Sequence, residues 1–185
     1  MTRTGDFIQC YGGKAFYPLD PRADEIDIVD IAHSLSMQCR YAGHCLRFYS
    51  VAEHSVLLSR WLAEQGHSVE TQLWGLLHDA AEAYLVDVPR PIKPALEGYR
   101  EIEERVMVEV CRKFALPFVM PAVVKDADVR ICVDEKSQNM APGLIWGLDG
   151  LQGLGVTLEC YDPDLAERWF MARYRRLVAE SGRSA

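Results

Sequence analysis

An all-α domain with a short N-terminal β-hairpin is the fold class this chain predicts. Three observations carry that expectation. Apolar residues recur at three- and four-residue spacing through most of the chain, β-compatible runs flank Gly12-Gly13, and proline or glycine falls between the periodic stretches. At 185 residues and 20.9 kDa the chain is the size of one domain, expected to span 1–185. A chain of about 150 residues already hides roughly 70% of its unfolded surface, so a sizeable core is expected. Hydrophobic residues at 49% and charged ones at 25% exclude a disordered, collagen-like or disulfide-scaffold chain.

The hairpin is expected at about 7–17, because Gly12-Gly13 tolerates the positive φ of a two-residue turn. Pro18 and Pro21 then mark a loop, and a helical core is expected over about 25–141. Its first helix covers about 25–37, with Ile28, Ile31, Ala32 and Leu35 on one stripe. Residues 38–49 read as a loop. Ser50-Val51-Ala52-Glu53 is a capping-box sequence, in which Ser50 takes an amide at the helix start while Glu53 reaches back. A helix follows to about 65 and stops at Gly66. Ser68 caps a helix expected over 69–85, and Pro89, Pro91 and Pro94 forbid helix through 86–94. Helices are expected over 95–116, up to Pro117, and over 122–141, after Pro121. Five glycines make 142–158 loop-rich, and Asp162-Pro163 opens a C-terminal helix over about 162–179. That helix reads as packing or subunit contact through Leu165, Trp169, Tyr174 and Leu177, with Arg173, Arg175 and Arg176 on a solvated face.

A net charge of −7 argues against a broad nucleic-acid surface, so no nucleic-acid polymer is expected as partner. The six cysteines form no C-x-x-C pair and read as free thiols of a reducing compartment. The first eleven residues lack a signal-peptide apolar stretch, and no run of about 18 apolar residues suggests a membrane span. A cytoplasmic protein without a membrane partner is therefore expected.

All five histidines lie in the first 78 positions. His54 falls on the stripe Val51, Leu58, Trp61 and Leu62, so it points where the core points. His78 and Asp79 are adjacent on the next predicted helix, with Glu82 one turn on. Between 121 and 141, Asp128 and Glu135 project within the stripe Val124, Ala127 and Ile131, whereas Asp126 faces the opposite way. A carboxylate on a buried face must be paired or bound to a metal. Asp128 is the first candidate and Asp134 the second; Glu135 reads equally as a structural acid bridging to Arg40 or Arg130. His54, His78, Asp79 and Asp128 together offer two imidazoles and two carboxylates. That set suits one divalent transition ion, Mn, Co, Fe or Zn, inside a helical bundle.

The order His54, then His78-Asp79, then Asp128 resembles the HD-domain metal-dependent phosphohydrolases, whose signature is H…HD…D. The resemblance covers about 25–140. Ser50-Val51-Ala52-Glu53-His54-Ser55 resembles the first-histidine motif of the small nucleotide-hydrolysing members. His78-Asp79-Ala80-Ala81-Glu82 with Asp87-Val88-Pro89-Arg90-Pro91-Ile92-Lys93 is similar to their HD helix and proline loop. Lys125-Asp126-Ala127-Asp128 is similar to the last-ligand segment, and the stretch from Asp30 to His44 to a bacterial and phage subgroup. The resemblance implies an HD-domain helical bundle and an enzyme hydrolysing small nucleotides. The implied activity is that of a 5′-deoxynucleotidase releasing phosphate from monophosphates, with a deoxynucleoside triphosphohydrolase as the alternative. A metal-binding nucleotide sensor without catalysis is the rival of another class.

No histidine follows His78, so a two-metal site is not expected, and Ala83 after Glu82 departs from the alarmone-hydrolase pattern. By the same resemblance Glu82 is the general acid/base, Arg40 neutralises phosphate and Asp87 meets the sugar; the bland readings are a surface loop charge for Arg40 and a turn residue before Pro89 for Asp87, while Asp79, as ligand and neighbour, orients the water. Lys93 is a further candidate for the phosphate. His44, in the loop ahead of the first motif, reads as a substrate contact or as plain exposure. A homo-oligomer is expected by resemblance alone.

Overall fold

The computed structural model describes residues 2–148 and 150–182. It is mostly helical, with one two-stranded antiparallel sheet. Strands β1 (Ile8–Gln9) and β2 (Ala15–Phe16) pair Ile8 with Phe16 and Gln9 with Ala15. The turn is longer than the two-residue one expected. Cys10 donates its amide to Lys14 O at 2.8 Å and Gly13 donates to Cys10 O at 2.9 Å, which leaves a three-residue loop, 11–13. Only Gly13 takes a positive φ there, +80°, as a three-residue hairpin loop requires of its last position.

Seven α-helices follow among the described residues: α1 (Ile28–Met37), α2 (Val51–Glu64), α3 (Val69–Leu77), α4 (Glu82–Leu85), α5 (Tyr99–Phe114), α6 (Ala122–Asn139) and α7 (Pro163–Ser181). Asp27, Ser50, Ser68 and Asp162 each accept an amide at a helix start, which satisfies a donor the helix itself leaves free. Helices α1, α2 and α3 pack against α7, and α6 lies on α2 and α3. Leu35, Leu58, Leu62, Leu76, Ile131 and Phe170 are fully buried between them. Each such side chain contributes about 1.5–3 kcal/mol of transfer free energy.

Three further expectations change. The helix expected over 69–85 stops at Leu77 and resumes as α4. Between them Ala80 N donates to Leu77 O and Glu82 N to Asp79 O, a three-residue spacing that tightens the turn. The His78 ring itself donates from Nδ1 to the Gly75 carbonyl at 2.8 Å. Glu53 does not close a capping box. Ser50 Oγ does accept the Glu53 amide at 3.0 Å, but the Glu53 carboxylate accepts the amides of Glu159, Cys160 and Tyr161 at 2.8–2.9 Å. Arg173 is not on a solvated face. It is buried and donates to Ser59 Oγ, the Ser59 carbonyl and Gln72 Oε1, tying α7 to α2 and α3.

The glycine-rich stretch is a loop tethered along α6. Asp134 accepts the amides of Leu154 and Gly155, and Gln138 bonds both Val156 O and Leu158 N. Asp134 therefore anchors a loop rather than facing the histidines.

Candidate functional site

Close helix packing builds the site. A Cβ on Gly75 would lie 2.5 Å from Leu62 Cδ1 and 2.7 Å from Leu58 Cδ2, so glycine lets α3 press against α2. That approach sets His54, one turn into α2, opposite His78 at the end of α3, with their Nε2 atoms 3.2 Å apart. Helix α6 buries Val124, Ala127 and Ile131 and thereby carries Asp128 to the same point. Asp128 Oδ1 lies 3.3 Å from His54 Nε2 and 3.6 Å from His78 Nε2. Asp79 Oδ2 lies 3.2 Å from His78 Nε2 and 3.6 Å from His54 Nε2. The structure thus brings His54, His78, Asp79 and Asp128 together.

The chemistry of this donor set fits a cation. His54 Nδ1 lies 2.7 Å from Glu135 Oε1, and His78 Nδ1 meets a carbonyl. Carboxylate and carbonyl oxygens only accept, so both Nδ1 atoms donate. Neutral rings then present both Nε2 lone pairs to one another, flanked by two carboxylates. Lone pairs and anions at such distances need positive charge between them, and ring nitrogens braced from behind are the usual state of metal ligands. Three of these groups, His54, His78 and Asp128, offer ligand atoms within 4.8 Å of one another.

Electrostatics follow the same logic. Burial and Arg40 oppose protonation of His54, but Glu135 and Asp128 outweigh them and lift its pKa. Burial likewise opposes a proton on His78, and Asp79 and Asp128 push its pKa well up. Burial favours the neutral acid at Asp79 and Asp128, yet the histidines hold both below the ordinary carboxylate range. Glu135, fully buried, is the brace that the sequence left between two partners. It pairs with Arg40 at 3.3 Å, accepts from the Tyr41 hydroxyl and from Tyr49 at 2.9 Å, and does not meet Arg130. Despite burial, Arg40 and His54 hold its pKa down to about 2.

A cavity of about 530 Å³ opens beside this cluster. Arg40, Glu82, Asp87 and Lys93 line it, as do Asp79 and Asp128. Arg40 is 9% exposed, and its Nη1 lies 3.6 Å from Asp79 Oδ2. Glu82 is buried and its Oε2 has no partner among the described residues. Burial first, then the charges of Asp79 and Asp87, raise its pKa well above the usual carboxylate value. Burial raises Asp87 as well. Lys93 is less free than a phosphate contact would be: its Nζ bridges Glu82 at 3.1 Å and Glu103 at 3.0 Å. His44 stands apart, exposed at the end of a 3-10 turn and not lining the cavity.

Trp146 is the residue that sequence reasoning missed. It lines the cavity with its ring 5.4 Å from that of Tyr41. Its one sequence signal is to be the sole aromatic in the glycine-rich 142–158 stretch. Tyr41 is itself placed by strain, since Tyr41 and Ala42 both hold left-handed φ, +58° and +51°.

The fold and site define a helical protein with a buried histidine–carboxylate cluster at the base of a charged cavity. The chain belongs to the family of the uncharacterized protein YfdR of Escherichia coli: the two are 38% identical over 177 residues, which cover 92% of this chain and 95% of YfdR. An uncharacterized protein of Rhodobacter capsulatus is 39% identical over 120 residues, 62% of this chain and 61% of that protein. No family model matches the chain.

Proposed function

We propose that this protein is an HD-type, divalent-metal-dependent phosphohydrolase of small nucleotides, acting as a 5′-deoxynucleotidase on deoxynucleoside monophosphates. The observation that carries this reading is the convergence of His54, His78, Asp79 and Asp128 beside a buried, unpartnered Glu82 oxygen. A divalent ion on those four side chains would acidify a water and draw charge from a phosphoryl oxygen. Glu82, whose pKa burial and its acidic neighbours raise against the pull of Lys93, would give its proton to the leaving 5′-oxygen. Arg40 offsets the phosphate charge, and Asp87 accepts from a sugar hydroxyl. Tyr41 and Trp146 offer aromatic faces to the base. The second reading, a deoxynucleoside triphosphohydrolase, draws on Arg90, which adds a third cation to the cavity beside Arg40 and Lys93.

Product analysis tests both readings. Protein loaded with Mn²⁺ or Co²⁺ is incubated with matched deoxynucleoside mono- and triphosphates. Orthophosphate from monophosphates is the expected product, and Glu82→Gln is expected to lower turnover by about 10²–10⁴-fold with metal content unchanged. Intact tripolyphosphate would select the second reading. No turnover with metal bound would overturn both and leave a nucleotide sensor.

A further inference from the structure

A second cavity, of about 560 Å³, opens between the hairpin, α1 and α4, and its floor holds Asp30. Asp30 is only 3% exposed. Its Oδ1 accepts the Gly12 amide at 2.5 Å, while its Oδ2 has no partner among the described residues. A Cβ on Gly12 would come 3.0 Å from that Oδ1, so the hairpin turn is seated on this acid. The nearby Lys14 ammonium bonds Asp27 instead, at 3.0 Å. A carboxylate oxygen buried without a donor costs free energy that a bound donor would recover.

The rim is of the opposite character. Ile8, Tyr11 and Met37 line the cavity yet are 38%, 62% and 58% exposed. Tyr11 is not loose: its ring stacks on His33 at 3.7 Å and 12°, and His33 Nδ1 donates to Glu167 at 2.9 Å. Tyr84, whose buried hydroxyl also lacks a partner among the described residues, lines the same cavity. A stacked aromatic ring and an apolar rim over a buried carboxylate acceptor match a ligand with a cationic donor head on a flat apolar body. Gln38, on the cavity wall, connects this space to the candidate active site. It accepts the Asp87 amide at 2.8 Å and donates to the Glu82 carbonyl at 2.9 Å, and both those residues line the other cavity.

We propose that the hairpin cavity is a second ligand site for a small aromatic amine or amidine, held by Asp30 and Tyr11 and linked through Gln38 to the backbone carrying Glu82 and Asp87. Occupancy there braces the Gln38 side chain and therefore the 82–87 segment. This site is independent of the phosphohydrolase reading, since its ligand and its readouts involve neither metal nor turnover.

The test is calorimetric titration of the full chain with benzamidinium and phenethylammonium, with neutral benzamide as a shape-matched control. Hydrogen exchange of 82–88 is measured with and without the tighter cation. The expected result is saturable one-to-one binding of at least one cation, weakened about tenfold or more in Asp30→Asn and several-fold in Tyr11→Ala. Benzamide is expected to bind about tenfold more weakly, and the Asp87 amide to exchange more slowly in the complex. Asn keeps an acceptor for the Gly12 amide. If that variant nonetheless melts early, the exposed Tyr11→Ala variant and the benzamide control carry the decision. No saturation by either cation up to about 10 mM, equal binding of benzamide, or affinity unchanged in both variants overturns the site. Unchanged exchange in 82–88 with the site filled overturns the Gln38 link.

Discussion

Two oxygens of Glu135 meet Arg40, His54, Tyr41 and Tyr49 with no exposure to water. This acid orients one candidate ligand and holds the cavity arginine. The Glu135→Gln variant keeps the shape and removes the charge. Its metal affinity is expected to fall about 10–100-fold, as when other ligand-bracing groups are lost. Stability should fall too, by about 3 kcal/mol at pH 7, because buried Arg40 loses its nearer counter-charge and keeps only Asp79, at 3.6 Å. A carboxylate held down to about 2 contributes stability above its unfolded value near 4.5, and loses it as pH falls toward 2. Metal-free wild type should therefore weaken between about pH 5 and pH 2 by an increment that the variant lacks. Denaturant melts across that range, with metal titrations at neutral pH, decide it; equal affinity in the two proteins would remove Glu135 from the site. The α6 stripe that made Asp128 legible also held Glu135, but a stripe shows only that an acid is buried, not which of several cations it meets.

At the scale of elements, the start of α2 is fastened to the start of α7 by one side chain. Glu53 accepts three successive amides, at 159, 160 and 161, just ahead of the Asp162 cap. Burial lifts its pKa, opposed by those amides. The Glu53→Ala variant leaves the amides unmatched and is expected to cost about 2–4 kcal/mol. At about 2–4 °C per kcal/mol for a chain of this size, the melting temperature falls by roughly 4–16 °C. Hydrogen exchange should accelerate at 159–166 and not at 122–139, and metal affinity should hold. Faster exchange spread over the whole chain would mean Glu53 is no local fastener. The capping-box motif pointed to a partner within its own turn because local sequence shows only local partners. The break at His78 was invisible for a related reason: no proline or glycine marks it, and a ring nitrogen bonding the Gly75 carbonyl accompanies the tighter turn. Trp146 sits in a loop without periodicity, so only tethering of that loop to α6 discloses its place.

Across the whole molecule, the candidate ligands come from α2, the end of α3 and α6, and they meet only when those helices pack. The unfolded chain has no such cluster, so metal binding adds directly to folding free energy. At a free metal concentration of about 100 Kd the gain is about 2.7 kcal/mol, or roughly 5–11 °C in melting temperature. Its pH dependence has a definite sign. Burial opposes protonation of His54 and His78, yet the surrounding carboxylates raise both pKa values. Raised histidines contribute stability that is fully present below their unfolded value, near 6.5, and is lost as pH rises through the folded values. Metal-free protein should therefore weaken above about pH 6.5. Metal-bound histidines are already neutral, so the loaded protein escapes that loss, and in acid protons compete for the same nitrogens. Melting temperatures with chelator and with saturating Mn²⁺ should converge near pH 5 and separate steadily toward pH 9. Two curves that run parallel over that range would mean that metal and proton do not share the His54–His78 pair, and that any bound ion sits elsewhere.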